Sequence, residues 1–332
     1  MVKYILKRLG MAVFVLLGVS LIIYFLIRLM PVSFIENKVA EMNNSNSIPQ
    51  EVVDMLYKEY NLTPNPTFKD IIGGYWNWLK GIATLDFGTS FAQPGNKVMD
   101  IITSKMGVSF TVSFIAVIFE FLIAIPLGIT AATHQYSIRD YILTVFVMVG
   151  ISLPTFFFGN MLIELYSVKL GWYPTCGMHT VTRAETTTMG YLLDYLRCMT
   201  LPVLTLVILS LGGRMRMTRT NMLEVLNSDY IRTARAKGLG EGKVIYKHAF
   251  RNTLIPLVTS LAGLLPSLFS GAIITEQVFD LPGIGNIALD AMNRGDIPFI
   301  MGYNMFLALL SVLGVLLADL MYAVVDPRVK LE

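Results

Sequence analysis

Six stretches of this 332-residue chain are each apolar over roughly twenty residues, the length of helix needed to cross about 30 Å of hydrocarbon. They cover residues 9–30, 108–132, 141–168, 196–213, 254–274 and 298–325. No single soluble core can bury so many. Charged residues make up only 15% of the chain, against about 25% in soluble domains. The mean hydropathy of +0.61 agrees. In lipid every backbone polar group must be satisfied internally, and a barrel would show short alternating strands instead of these long runs. The sequence therefore predicts an all-α integral membrane protein with about six transmembrane helices. The first run follows a short basic stretch, is too long for a signal-peptide core and has no small-x-small cleavage site after it, so it reads as a retained span. The fourth run is short and carries Pro202 near its start.

Orientation follows from Lys and Arg in the short loops. With the N-terminus inside, the cytoplasmic segments are 1–8, 133–140, 214–253 and 326–332. The segment 214–253 alone holds nine basic residues: Arg214, Arg216, Arg219, Arg232, Arg235, Lys237, Lys243, Lys247 and Arg251. The opposite loops 169–195 and 275–297 hold Lys169, Arg183 and Arg294. Both termini are predicted to be cytoplasmic, in a multi-pass protein of a bacterial cell membrane. The net charge of +3 gives no reason to expect nucleic acid as a partner.

The chain divides into a first transmembrane helix (1–30), an extracytoplasmic subdomain (31–104) and a five-helix core (105–332) containing the loop 214–253. Residues 31–104 are turn-rich, with Asn43 to Ser47 and Pro64-Asn65-Pro66, yet they include Tyr75, Trp76, Trp78 and Leu79. Such aromatics suit a small subdomain anchored near the membrane interface; a loose linker is the alternative. Cys176 and Cys198 both fall at or near the loop after the third span. An oxidising compartment would allow them to form a disulfide, or they are two free thiols.

Chemistry-bearing motifs are scarce. The run Gly238-Leu239-Gly240-Glu241-Gly242-Lys243-Val244 imitates a phosphate-binding loop, but Lys237 stands where its first glycine belongs and Val244 where Ser or Thr would hold Mg²⁺. The histidines His134, His179 and His248 are scattered over separate loops, so no metal or catalytic cluster is expected. The informative segment is Asn227-Ser228-Asp229-Tyr230-Ile231-Arg232-Thr233-Ala234-Arg235-Ala236-Lys237-Gly238-Leu239-Gly240, continuing to Pro256. Ser228 or Asp229 can cap a short helix there, and Gly238 can end it. Small residues among basic ones suit close approach to a partner, although a solvated basic loop would look similar.

Residues 229–239 resemble the cytoplasmic coupling loop of binding-protein-dependent ABC permeases, in the wording of the dipeptide, oligopeptide and nickel branch. Arg232, Thr233 and Ala234 occupy the Glu-Ala-Ala positions of the generic motif, so only Ala234 and Gly238 match that form. Residues 85–91, 170–174, 275–279, 282–285 and Asp326-Pro327-Arg328 resemble further family segments, so the likeness covers nearly the whole chain. The large external region resembles the first of the two permeases in such systems. The resemblance implies a permease half that pairs with a second homologous permease. It also implies two ATPase subunits that bind ATP-Mg, an extracytoplasmic solute-binding protein and a peptide substrate, with lipid around the spans. No cofactor would be bound by this chain, and it would not itself be an enzyme. Asp229, Tyr230, Arg232, Thr233, Ala234, Arg235, Ala236, Lys237, Gly238 and Leu239 would form the ATPase-coupling site, with Ala234 and Gly238 as points of contact.

Glu120, Glu164 and Asp319 lie within apolar runs and Glu276 at the end of one. Charges in lipid tend to face a bundle interior or a water-filled path. Asn160 lies one turn before Glu164, so Asn160, Glu164 and Glu276 are candidates for the translocation path; hydrogen bonding to neighbouring helices is the alternative. Glu120 and Asp319 read as structural. Pro126 and Pro154 are expected to kink spans two and three. A nickel or other small-solute importer of the same branch is an alternative substrate reading. An autonomous secondary transporter is an alternative class, but the internal symmetry that it would show is not evident.

Overall fold

The computed structural model describes residues 2–28, 34–35, 38–39, 50–59, 67–175, 177–180, 182 and 186–325. Cys176, Arg183, the Asp326-Pro327-Arg328 ending and most of 31–66 lie outside the described residues. Among those described, regular structure is helical apart from one antiparallel bridge between Thr89 and Lys97. The helices are α1 (Val2–Arg28), α2 (Gln50–Glu59), α3 (Phe68–Ala83), α4 (Val98–Thr133), α5 (Ile138–Ser152), α6 (Thr155–Leu162), α7 (Thr188–Leu226), α8 (Asp229–Ala236), α9 (Phe250–Ser260), α10 (Leu264–Phe269), α11 (Ile273–Val278), α12 (Ile284–Arg294) and α13 (Ile297–Val325). Among the described residues five stretches are long and apolar enough to cross a membrane: Arg8–Ile27, Val98–Thr133, Thr188–Leu226, Pro256–Val278 and Ile297–Met321. They become six if α5 and α6 count as one span.

The chain forms two compact units. One comprises Met1–Gly107 with Gly283–Val312. Its core gathers Tyr24 and Ile27 of α1, Phe87, Val98 and Ile102, and Phe299, Tyr303 and Met305 of α13. Helix α3 leans on α1 through two polar contacts: the Ser20 and Tyr75 hydroxyls are 2.9 Å apart, and the Tyr24 hydroxyl donates to the Ile71 carbonyl at 3.0 Å. The stretch after Leu85-Asp86-Phe87 is pinned by one buried carboxylate. Asp296 accepts from the Ser90 hydroxyl at 2.5 Å and from the backbone N–H groups of Phe91, Ala92 and Phe299 at 3.0, 3.1 and 3.3 Å.

The other unit comprises Val108–Pro282 with Leu313–Glu332. Helices α5 and α7 approach closely: a Cβ at Gly212 would sit 2.1 Å from the Ile151 Cδ1, so the Ile151 side chain would have to shift to admit it. Small residues at helix crossings let backbones meet where lipid supplies no hydrophobic drive for association.

Three predicted spans differ in the structure. The third is no kinked helix. It breaks between α5 and α6 with a 101° bend. Leu153 is extended, as a residue before proline prefers, and Pro154 is the extended N-cap of the new helix, its carbonyl accepting from the Phe158 N–H at 3.0 Å. Pro126, by contrast, lies inside a continuous α4. The fourth span is the longest of the described helices, 39 residues, and it absorbs the first thirteen residues of the predicted loop 214–253. Arg214 and Arg219 of that stretch are held by carboxylates, as described below, so hydropathy cut the helix where the charges begin. The fifth span is interrupted by a tight turn at Leu261–Gly263 and by the left-handed Gly271 before α11.

Candidate functional site

The predicted loop helix is present as α8, with Ser228 at its N-cap. The Ser228 hydroxyl does not cap it; it donates back to the Val225 carbonyl at 2.6 Å. Gly238 ends the helix. Its φ of +75° lets its own N–H reach the Arg235 carbonyl at 2.9 Å while the Leu239 N–H reaches Ala234 at 3.4 Å, a Schellman closure. A Cβ at Gly238 would meet open space, so glycine is needed there for backbone geometry and not for room.

Helix α8 is amphipathic. Ile231 (0% exposed) and Ala234 (8%) join Ile129, Ala132, Met222, Val244 and Ala249 in one cluster. Ala234 was expected at the partner-facing surface; its side chain faces this chain's own core, because a three-residue step from Ile231 keeps both on one face. The outward face consists of Asp229, Tyr230, Arg232, Thr233, Arg235, Ala236 and Lys237, followed by Gly238 and Leu239, all exposed. Arg235 is spent on a clip: its Nη2 and Nε donate to Glu241 at 2.6 and 3.3 Å. That guanidinium holds the Glu241 carboxyl below the usual glutamate range, and Glu241 in turn raises Arg235.

Two ion pairs tie α7 to its neighbours. The Arg214 Nε donates to Glu120 of α4 at 2.9 Å and its Nη1 to the Ser260 hydroxyl of α9 at 2.7 Å. Arg219 makes a bidentate pair with Asp140 of α5, both bonds 2.8 Å. Glu120 is thus structural, with Arg214 as its partner. A carboxylate inside an apolar run implies a nearby cation, and Arg214 directly follows the predicted end of the fourth span.

The three candidate path residues have different surroundings. Asn160 is exposed, and its amide donates to the Phe156 carbonyl of its own helix at 2.8 Å. Glu164 lies in a widened turn (Ile163–Lys169), largely exposed and 3.6 Å from the Lys169 ammonium. Glu276 is 2% exposed and accepts from the Ser109 hydroxyl at 2.6 Å. Cys198 is buried; the disulfide expected with Cys176 falls outside the described residues. Among the described residues no three His, Cys, Asp or Glu side chains gather into a metal-binding group.

A helical chain with several apolar spans and an amphipathic loop helix packed against them defines a membrane-embedded protein. The chain belongs to the family of binding-protein-dependent transport system inner membrane components, whose model matches residues 124–331. It is 34% identical over 330 residues to the oligopeptide transport system permease protein AppB of Bacillus subtilis, covering 99% of this chain and all of the relative. It is 32% identical to the dipeptide transport system permease protein DppB of the same organism, covering 100% of this chain and 99% of the relative. Identity is also 32% to the oligopeptide transport system permease protein OppB of Haemophilus influenzae, covering 99% and 100%. In fold it is similar to a chain of the MetNI methionine ABC transporter in an inward-facing conformation. There the TM-score is 0.52 at 16% identity, covering 69% of this chain and 97% of the other. The protein is thus a multi-pass permease of the bacterial inner membrane.

Proposed function

We propose that this chain is one permease half of an ATP-driven importer of oligopeptides or dipeptides. Full-length similarity to permeases named for those substrates carries the reading. In this scheme it pairs with a second, homologous permease and receives peptide from an extracytoplasmic binding protein. Both of its termini are cytoplasmic. Two partner ATPases bind ATP-Mg, and this chain binds no cofactor.

The outward face of α8 is the docking surface for an ATPase. Asp229, Arg232 and Lys237 offer charge, and Tyr230 and Leu239 offer apolar contact. The inward face transmits the movement. Ile231 and Ala234 are packed against α4, α7 and the turn leading into α9, so α8 cannot shift without carrying those elements along. ATP-dependent closure of the partners therefore biases a two-state bundle. Asn160 and Glu164, exposed polar groups on an otherwise apolar stretch, line the path; Glu276 acts through Ser109, setting α11 against α4.

Gly238→Trp tests the docking assignment, since open space surrounds that position. The expected outcome is normal insertion, loss of the ATPases on purification in mild detergent, and no uptake of a labelled peptide. Gly238→Asn, which tolerates the left-handed backbone, is the control and keeps uptake. Transport by the tryptophan variant at the native rate overturns the coupling role of α8.

A further inference from the structure

Helix α3 carries a second apolar face that its own unit leaves uncovered. At 100° per residue, Ile71, Tyr75, Trp78 and Ile82 fall within one 60° sector, and these pack against the cluster that includes Tyr24 of α1. Phe68, Ile72 and Trp76 fall in the adjoining 80° sector and are 71%, 49% and 58% exposed. Lys69 and Lys80, eleven residues or about three turns apart, both sit on the far edge of that sector. Asp70 and Asn77 lie beyond them, on the side away from α1.

We propose that α3 is an interfacial helix, with Phe68, Ile72 and Trp76 immersed in the acyl boundary of the leaflet at which α1 ends, and Lys69 at the lipid phosphates. Depth identifies lipid as the occupant. Tyr75 meets α1 at Ser20, seven residues before the end of the apolar window at Ile27, which at about 1.5 Å per residue places the contact about 10 Å below that end. The Ile71 contact at Tyr24 lies about 5 Å below it. Those depths match the roughly 5–10 Å at which interfacial helices bury their apolar faces. The exposed Leu21 and Ile22 of α1 lie at about 9 and about 8 Å by the same measure, so α1 also leaves apolar side chains uncovered at that depth. Aromatic side chains favour this zone, and a lysine at its edge, as Lys69 is, extends its head to the phosphates. Tyr75 and Trp78, which by sequence alone looked like interface anchors, are the packing face; Trp76 is the anchor.

The test is depth profiling of the full-length chain, purified with the subunits that accompany it from its host. The vesicles would be made of phosphatidylethanolamine and phosphatidylglycerol. Nitroxide labels are placed on single cysteines at 68, 72, 76, 70 and 77 in a Cys176→Ser, Cys198→Ser background. The expected result is that collision with oxygen exceeds collision with a water-soluble nickel chelate at 68, 72 and 76, and that the order reverses at 70 and 77. Chelate access at 68, 72 and 76 would mean a water-facing stripe, and low access to both reagents would mean a covering protein; either overturns the proposal. If the double serine background fails to accumulate, brominated lipid replaces the labels. Quenching of tryptophan emission is then expected to fall when Trp76→Phe is introduced into the otherwise native chain. Quenching unchanged by that substitution is also decisive against lipid contact.

Discussion

Helices α3 and α8 are both short and amphipathic, each braced on one side by its own unit, yet their free faces are opposite in kind. Helix α3 leaves Phe68, Ile72 and Trp76 uncovered, whereas α8 leaves Asp229, Arg232 and Lys237 uncovered and hides Ile231 and Ala234. An uncovered face reports the medium or partner that completes it. A tryptophan stripe at the depth of a membrane span suits lipid, and a charged face on a loop outside the spans suits water or a polar protein surface.

The largest test of that contrast places one charge on each side of α8. Ile231→Asp leaves an unpaired carboxylate in a closed cluster, at a cost of about 3–5 kcal/mol. The expected outcome is loss of protease-resistant protein from the membrane, measured by limited proteolysis and immunoblot, while Thr233→Asp accumulates normally. Equal accumulation of both variants would mean that the inward and outward faces are assigned wrongly.

A smaller effect is expected where α8 ends. Gly238→Ala keeps the space but opposes the left-handed backbone, at about 1–2 kcal/mol. Thermal unfolding in detergent should begin at a lower temperature than in the native chain, and Gly238→Asn should recover most of the difference. If alanine and asparagine behave alike, the Schellman closure is not what requires glycine.

The smallest effect concerns the Arg235–Glu241 clip. The Glu241 carboxyl titrates below its ordinary value near 4.5 when folded, so the folded protein binds fewer protons than the unfolded chain. The stabilisation is therefore complete above that value and is lost as pH falls through the depressed one. The pair is exposed, so it contributes about 0.2–1 kcal/mol, and salt weakens it further. Hydrogen exchange at residues 235–241 should rise at low pH in the native chain but not in Glu241→Gln. A pH-independent native profile would remove the clip from the account of α8.

Much of α8 is legible in the sequence, because local signals define it. Ser228 precedes the helix, Gly238 follows it, and the three-residue step from Ile231 to Ala234 marks a face. The face that a partner meets is not legible, since small size suits an inward crossing as well as a docking contact. The third span illustrates another limit. Its apolar run is continuous, and Pro154 announces a disturbance but not that the two halves meet at 101°. Arg214 and Arg219 look like loop charges until Glu120 and Asp140 are brought beside them.

By itself the sequence determined the membrane class, the approximate number of spans and the place of the loop helix. Hydropathy, turn residues and motif wording are local and survive without tertiary contacts. Only the tertiary structure decided which carboxylate meets which arginine, how far α7 extends and which side of α3 stays open. Those outcomes depend on residues far apart in the chain arriving at one place, where a buried charge must find its partner and an apolar face its cover.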